Sequence, residues 1–167
     1  TRDPAEIAAC QLCVLAGTGL PVPGEGPTPA RIMMVGEAPG AEEAASGRPF
    51  VGRSGKFLDA MLVKAGVKRE EVYLTNLLKH RPPGNRPPKA SEIKACLPYL
   101  RAQIDAVQPV IVITLGAKAA KAFYPKTSLT RDPGKPRAIV AHNRTMIHIP
   151  MYHPAAGLRD PQKRRLL

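Results

Sequence analysis

The chain has no apolar run approaching the ~18 residues that a membrane-spanning helix needs, so it reads as a globular rather than a membrane protein. It has only three cysteines, an odd number, and at 167 residues a single domain can bury a core without disulfide staples. It has no internal repeats. Its first residues, TRDPAEIAAC, lack the charged head and apolar core of a secretory leader, so none is expected. Acidic residues are scarce, with 13 Asp and Glu against 25 Lys and Arg, a formal charge of +12. Beyond Ala117 only Asp132 and Asp160 oppose a series of basic residues. That imbalance points to a polyanionic partner, nucleic acid first.

What is present is a single α/β pattern over residues 1–167. Residues 3–13 read as a short helix or turn presenting Cys10 and Cys13, and the Gly- and Pro-rich 17–29 as a connector over the surface. Short apolar runs predict strands over 32–35, 72–78 and 110–115, the last covered on both faces. Helical spacing predicts helices over 54–65, closed by Gly66, over 90–107, with Ser91 as cap and a kink at Pro98, and over 117–123. A hairpin of 138–141 with 146–149, turning through His142-Asn143-Arg144, delivers Tyr152 and His153 to an edge loop. Strands alternating with helices imply a mostly parallel sheet between two helical layers.

Open α/β sheets bind ligands at the carboxyl ends of their strands, so the loops there are the candidates. Glu37 follows the first strand in the turn GEAPG. Phe50, one of three phenylalanines, sits between Pro49 and Gly52 in the rigid GRPFVG loop, a platform for a flat ligand. Asn76 ends the second strand, Asn85 lies in the Pro-rich loop 81–88, and His153 precedes Pro154. Each alone is an ordinary turn or structural residue; five in edge loops of one predicted sheet form a constellation. Cys10-x-x-Cys13 has metal-hairpin spacing, Cys96 lies on a distant helix, and His80 is the best fourth ligand. Three thiolates and an imidazole fit structural zinc, and equally an iron–sulfur cluster with one cysteine replaced.

GEAPG at 36–40, GRPFVG at 47–52, Thr75-Asn76, RPPGNR at 81–86, Leu115-Gly116 and HPA at 153–155 together resemble the family 4 uracil-DNA glycosylases, the iron–sulfur type of bacteria and archaea. The resemblance spans nearly the whole chain in the same order. It implies a three-layer α/β/α fold around a four-stranded, mostly parallel sheet, a [4Fe-4S] cluster, and a cytoplasmic, nucleoid-associated monomer. The implied activity is base-excision repair: uracil is flipped out of DNA and its N-glycosidic bond hydrolysed.

By position, the resemblance implies that Gly36, Ala38, Phe50, Asn76 and His153 bind the base. Phe50 stacks on the uracil face, and Asn76 accepts from N3–H and donates to O4, an edge cytosine does not present. Thymine is excluded at C5 by the loop 37–43. His153 donates to O2 as the bond breaks, while Glu37, with Asn85, positions the attacking water. Residues 154–159 form a DNA-entering loop of Pro154, Ala155, Leu158 as wedge and Arg159, with Lys163, Arg164 and Arg165 near the phosphates. Cys10, Cys13, Cys96 and His80 hold the cluster.

Two departures stand out. The family usually has cysteine where this chain has His80, and a bulkier residue where it has Ala156-Gly157. A related cross-linking branch also resembles the chain at His80, but its basic insertion with a reactive histidine is replaced here by RPPGNRPP. Turnover is therefore expected rather than a covalent trap. A metal-bearing DNA-binding or redox-sensing module is the rival of another class. It has no need of Glu37, Phe50, Asn76 and His153 together.

Overall fold

The apolar runs condense into one sheet of five strands: β1 (Ile32–Gly36), β2 (Val72–Asn76), β3 (Ile111–Leu115), β4 (Arg137–Ala141) and β5 (Arg144–Met151). The structure, a computed structural model, describes residues 4–167, so the expected start of the first helix at Asp3 lies outside the described residues. The strand order is β2-β1-β3-β5-β4, parallel except for the antiparallel edge pair β4 and β5. The sheet thus has five strands rather than the four the resemblance implies. The extra one is the hairpin partner at the edge.

That hairpin turns through His142 and Asn143 alone, both at positive φ (51° and 61°), and Arg144 already belongs to β5. A two-residue turn with both central residues left-handed matches the twist of the flanking strands, which is why it replaces the expected three-residue connection.

Seven helices accompany the strands among the described residues: α1 (Pro4–Ala8), α2 (Ala41–Ser46), α3 (Arg53–Lys64), α4 (Ala90–Val107), α5 (Ala117–Phe123), α6 (Pro154–Arg159) and α7 (Pro161–Arg164). Alternation along the strands sorts the core. Met33, Val35, Tyr73 and Val112 meet Leu100, Ile104 and Val107 of α4 and Ala119 and Phe123 of α5. Met34, Leu74 and Leu115 meet Leu58 and Leu62 of α3 on the opposite face. Burial on both faces explains why these strands read as unbroken apolar runs.

Several expectations shift. The second strand stops at Asn76, and Leu77 and Leu78 continue as buried loop, their N–H groups donating to the Gly36 and Glu37 carbonyls. α4 is one continuous helix through Pro98, and its start is held by Glu92, which accepts from the Lys89 N–H at 2.9 Å; Ser91 lies inside the first turn. The connector 17–29 does more than cross the surface: Val22 is fully buried, and Glu25 and Leu74 exchange backbone hydrogen bonds. It thereby covers the otherwise open edge of β2. At Gly26, φ +140°, a Cβ would collide with the Val72 carbonyl, so only glycine permits this approach.

Candidate active site at the strand ends

Parallel pairing sets Gly36 beside Asn76, so β1 and β2 release their loops at the same level. A Cβ on Gly36 would run into Asn76 Oδ1 and Phe50 Cζ. The missing side chain therefore lets the amide and the ring approach each other. Asn76 is 2% exposed, and its Oδ1 is buried without a hydrogen-bond partner. An orphaned buried acceptor is costly, and in a cavity wall it marks where a ligand N–H belongs.

Phe50 is also buried, with its backbone left-handed at φ +51°, and its ring centroid lies 6.3 Å from that of His153 at a 30° tilt. His153 caps α6: its Nδ1 accepts the Ala155 N–H at 3.1 Å. With Nδ1 used as an acceptor, the ring proton sits on Nε2. Burial, reinforced by the Arg159 charge, pushes the His153 pKa down to about 4, so the ring is neutral at physiological pH.

Glu37 leaves the end of β1 and reaches the first turn of α5, where Oε1 accepts the Lys118 N–H at 3.1 Å. Gly116, at φ +104°, lies directly beneath this carboxylate, where a Cβ would collide with it. Burial raises the Glu37 pKa, partly offset by the Lys118 N–H and charge. Asn85 is left-handed, φ 56°, and its Oδ1 accepts from Arg81 Nε at 2.7 Å. The Pro-rich loop is anchored by Arg86, which meets both oxygens of the buried Glu92 at 2.6 and 3.0 Å. That contact above all holds the Glu92 carboxyl down at about 2.

These loops enclose one cavity of about 430 Å3, whose walls include Glu37, Ala38, Phe50, Asn76, Asn85, His153, Ala155 and Arg159. Sequence reasoning missed two further wall residues, Ser54 and Arg86. Their signal was position: Arg86 closes the RPPGNR motif, and Ser54 lies two residues past GRPFVG. Glu43 also lines the cavity, and its carboxylate accepts from Gly40 N–H at 3.3 Å and Gly52 N–H at 3.1 Å, lacing the GEAPG loop to the GRPFVG loop.

Other expected residues lie elsewhere. Residues 154–159 form the helix α6, not a loop, because Pro154 fits a first helical turn that His153 caps. Pro154 is buried and lines a separate apolar cavity of about 140 Å3 under α3; Leu158 is half-buried outside the base-sized cavity. Arg164 donates to the Gly157 carbonyl at 2.9 Å and lies over the Phe57 ring, so it braces α6 rather than standing free. Lys163 lies over Tyr152, and Arg165 is exposed.

The metal candidates gather outside the base-sized cavity. Cys10, Cys13 and His80 line one cavity of about 600 Å3, and buried Cys96 packs with Leu15, Leu78, Cys13 and Ala38. Burial pushes the Cys96 thiol up; the Lys79 N–H and charge pull it down, and Cys13 and Cys10 add to the rise. Burial lowers the His80 pKa, which keeps the imidazole neutral as a ligand must be. Among the described residues no group of three or more His, Cys, Asp or Glu stands at metal-binding separation. The donor set and shared cavity therefore fit a metal group in chemistry and neighbourhood, not yet in ligand spacing.

The uracil DNA glycosylase superfamily model matches residues 23–166. The chain is 43% identical to the type-4 uracil-DNA glycosylase of Sulfurisphaera tokodaii, over 97% of this chain and 77% of that protein. It is 42% identical to the type-4 uracil-DNA glycosylase of Archaeoglobus fulgidus, over 95% and 83%. The identity is 43% to that of Thermotoga maritima, over 83% and 72%.

Proposed function

The chain belongs to the uracil-DNA glycosylase superfamily, and from that premise we infer that it hydrolyses the N-glycosidic bond of uracil flipped out of DNA, leaving an abasic site. The observation that carries the reading is the convergence of Glu37, Phe50 and His153, from three separate loops, and Asn76, from the end of β2, on one base-sized cavity. Phe50 stacks on the base, and Asn76 accepts from N3–H and donates to O4. Gly36 and Ala38 leave room for both.

As C1′–N1 breaks, the bonding pair departs with the base and charge accumulates on O2. His153 donates from Nε2–H to that oxygen, and being neutral it spends no proton on solvent beforehand. Water adds to C1′ and loses a proton to Glu37, whose raised pKa suits it to accept one, with Asn85 holding the water. Ala155 and Arg159, which line the cavity, face DNA at its mouth, and Leu158 meets DNA from outside the cavity. Pro154 serves by starting α6. One chain carries every residue invoked, so we assign activity to the monomer, acting on DNA in the cytoplasm of a bacterial or archaeal cell. Among the described residues no helix is long and apolar enough to cross a membrane.

The test is incubation with a labelled oligonucleotide containing one uracil, followed by alkali. Strand cleavage at uracil and none at cytosine or thymine is expected; no cleavage at uracil overturns the reading. The loop 81–88 contains no histidine that could trap the sugar, so the protein turns over, and no protein band stays on the DNA in a denaturing gel.

Cys10, Cys13, Cys96 and His80 are assigned as the holders of a [4Fe-4S] cluster, whose contribution is structural, tying the N-terminal segment after α1 and the loop after β2 to α4. None of the four lines the base-sized cavity, which supports a role outside the chemistry. Purified protein is expected to be brown, to contain iron and sulfide, and to keep both in His80→Cys while losing them in Cys96→Ser. A colourless protein with zinc and no iron would replace the cluster with a zinc staple.

A further inference from the structure

Phe50 is held in a backbone conformation that an L-residue with a large side chain rarely adopts, φ +51°. Such conformations persist only where the surroundings over-determine them. One constraint is steric: the Phe50 carbonyl abuts Gly55 of α3 so closely that any Cβ there would collide with it. The other is Arg69, which precedes β2. Its Nη1 donates to the Phe50 carbonyl at 2.9 Å and to Asp59 Oδ1 at 2.8 Å, and its Nη2 donates to the Pro49 carbonyl at 2.6 Å and to Glu25 Oε1 at 3.2 Å.

We propose that Arg69 is a positioning residue for excision, fixing the pitch of the Phe50 ring by clamping the two carbonyls on either side of the Phe50 N–H, with Glu25 and Asp59 aiming its guanidinium. The inference rests on the stacking role given to Phe50 above. The planar fork is what the task needs, because four acceptors in different directions are served by one rigid group; a lysine ammonium has three donors and no fixed plane.

Two alternative roles for Arg69 fit less well. As a phosphate contact it would need spare charge, yet Arg48 and Arg69 face Glu25 and Asp59, two cations against two anions, with Glu25 also bound to Arg48 at 3.0 Å. As a mere surface ion pair it would have no reason to reach past both carboxylates to two backbone carbonyls. Arg69 is also the least exposed member of the group, 21% against 32% for Glu25, 44% for Asp59 and 60% for Arg48.

The test is a double-mutant cycle on kcat/KM for uracil excision with Arg69→Ala, Phe50→Ala and the double variant, each assayed below its own Tm. Phe50→Ala is expected to lower kcat/KM about tenfold or more, and Arg69→Ala about as much in the wild-type background but less than about twofold in the Phe50→Ala background. Arg69→Lys, which keeps the charge, is expected to resemble Arg69→Ala. Losses that multiply in the double variant overturn the inference and leave the stacking reading intact, as does full activity in Arg69→Lys or Arg69→Ala. An unchanged rate in Phe50→Ala overturns both. Should Arg69→Ala not fold, Arg69→Lys takes its place in the cycle with the same criteria.

Discussion

His153→Ala lowers kcat for uracil excision by about 10² to 10³-fold, the loss seen when one preorganised donor to a developing oxyanion is removed. KM changes little, since the bond to O2 strengthens mainly as the glycosidic bond breaks. The same ring predicts a pH profile. Its folded pKa of about 4 lies below the usual 6.5, so the neutral donor is present throughout the neutral range. As pH falls, excision declines first as Glu37, whose carboxyl burial raises above its usual range, takes up a proton, and further towards pH 4, where a proton on His153 Nδ1 breaks the bond from the Ala155 N–H. The unfolded chain binds more protons at this group between pH 6.5 and 4, so its contribution to stability is complete above 6.5 and lost as pH falls through that window. His148, buried beside Thr114 and held by burial at about 4, adds in the same direction. Single-turnover rates from pH 4 to 8 check the first claim and thermal melts the second. A rate titrating near 6.5 that persists in Glu37→Gln would remove His153 from the donor role.

Asn76→Asp is expected to lower uracil excision by roughly 10³-fold or more, the scale on which a site built around specific hydrogen bonds rejects a mismatched partner. The buried Oδ1 lacks any protein partner, so the amide is committed to the ligand. A carboxyl group at this position is driven towards its protonated form by burial, and can then donate to the bare N3 of cytosine while accepting from its amino group. Cytosine release should therefore rise as uracil release falls. The measurement is a paired assay on oligonucleotides differing only at that base, and an unchanged uracil-to-cytosine ratio takes Asn76 out of the reading role.

Much of this architecture was legible in the residues because the physics behind it is local. β1, β2 and β3 are short apolar runs bounded by breakers, and α4 and α5 are periodic segments, α4 opening after the Pro-rich loop and α5 just past the end of β3. What was misread had weak or misleading local signals. α2 is six residues, AEEAAS, set between Gly40 and Gly47, too short for periodicity to register. α6 contains Pro154 and Gly157, which read as loop residues, and forms because His153 caps it and Arg164 braces it from α7. The partial burial of 17–29 follows from an open strand edge that needs covering, and no local pattern announces that.

By itself the sequence determined the kind of chemistry available: a carboxylate, an amide, an aromatic ring and an imidazole at strand ends, and thiols with ligand spacing. Those are matters of residue type and order along the chain. Only the tertiary structure decided that Phe50 and His153 stand 6.3 Å apart, that Asn76 Oδ1 lacks a partner, and that His153 is neutral with its proton on Nε2. Proximity, desolvation and hydrogen-bond partners arise from segments distant in sequence, and no composition or spacing encodes them until the sheet brings its loops together.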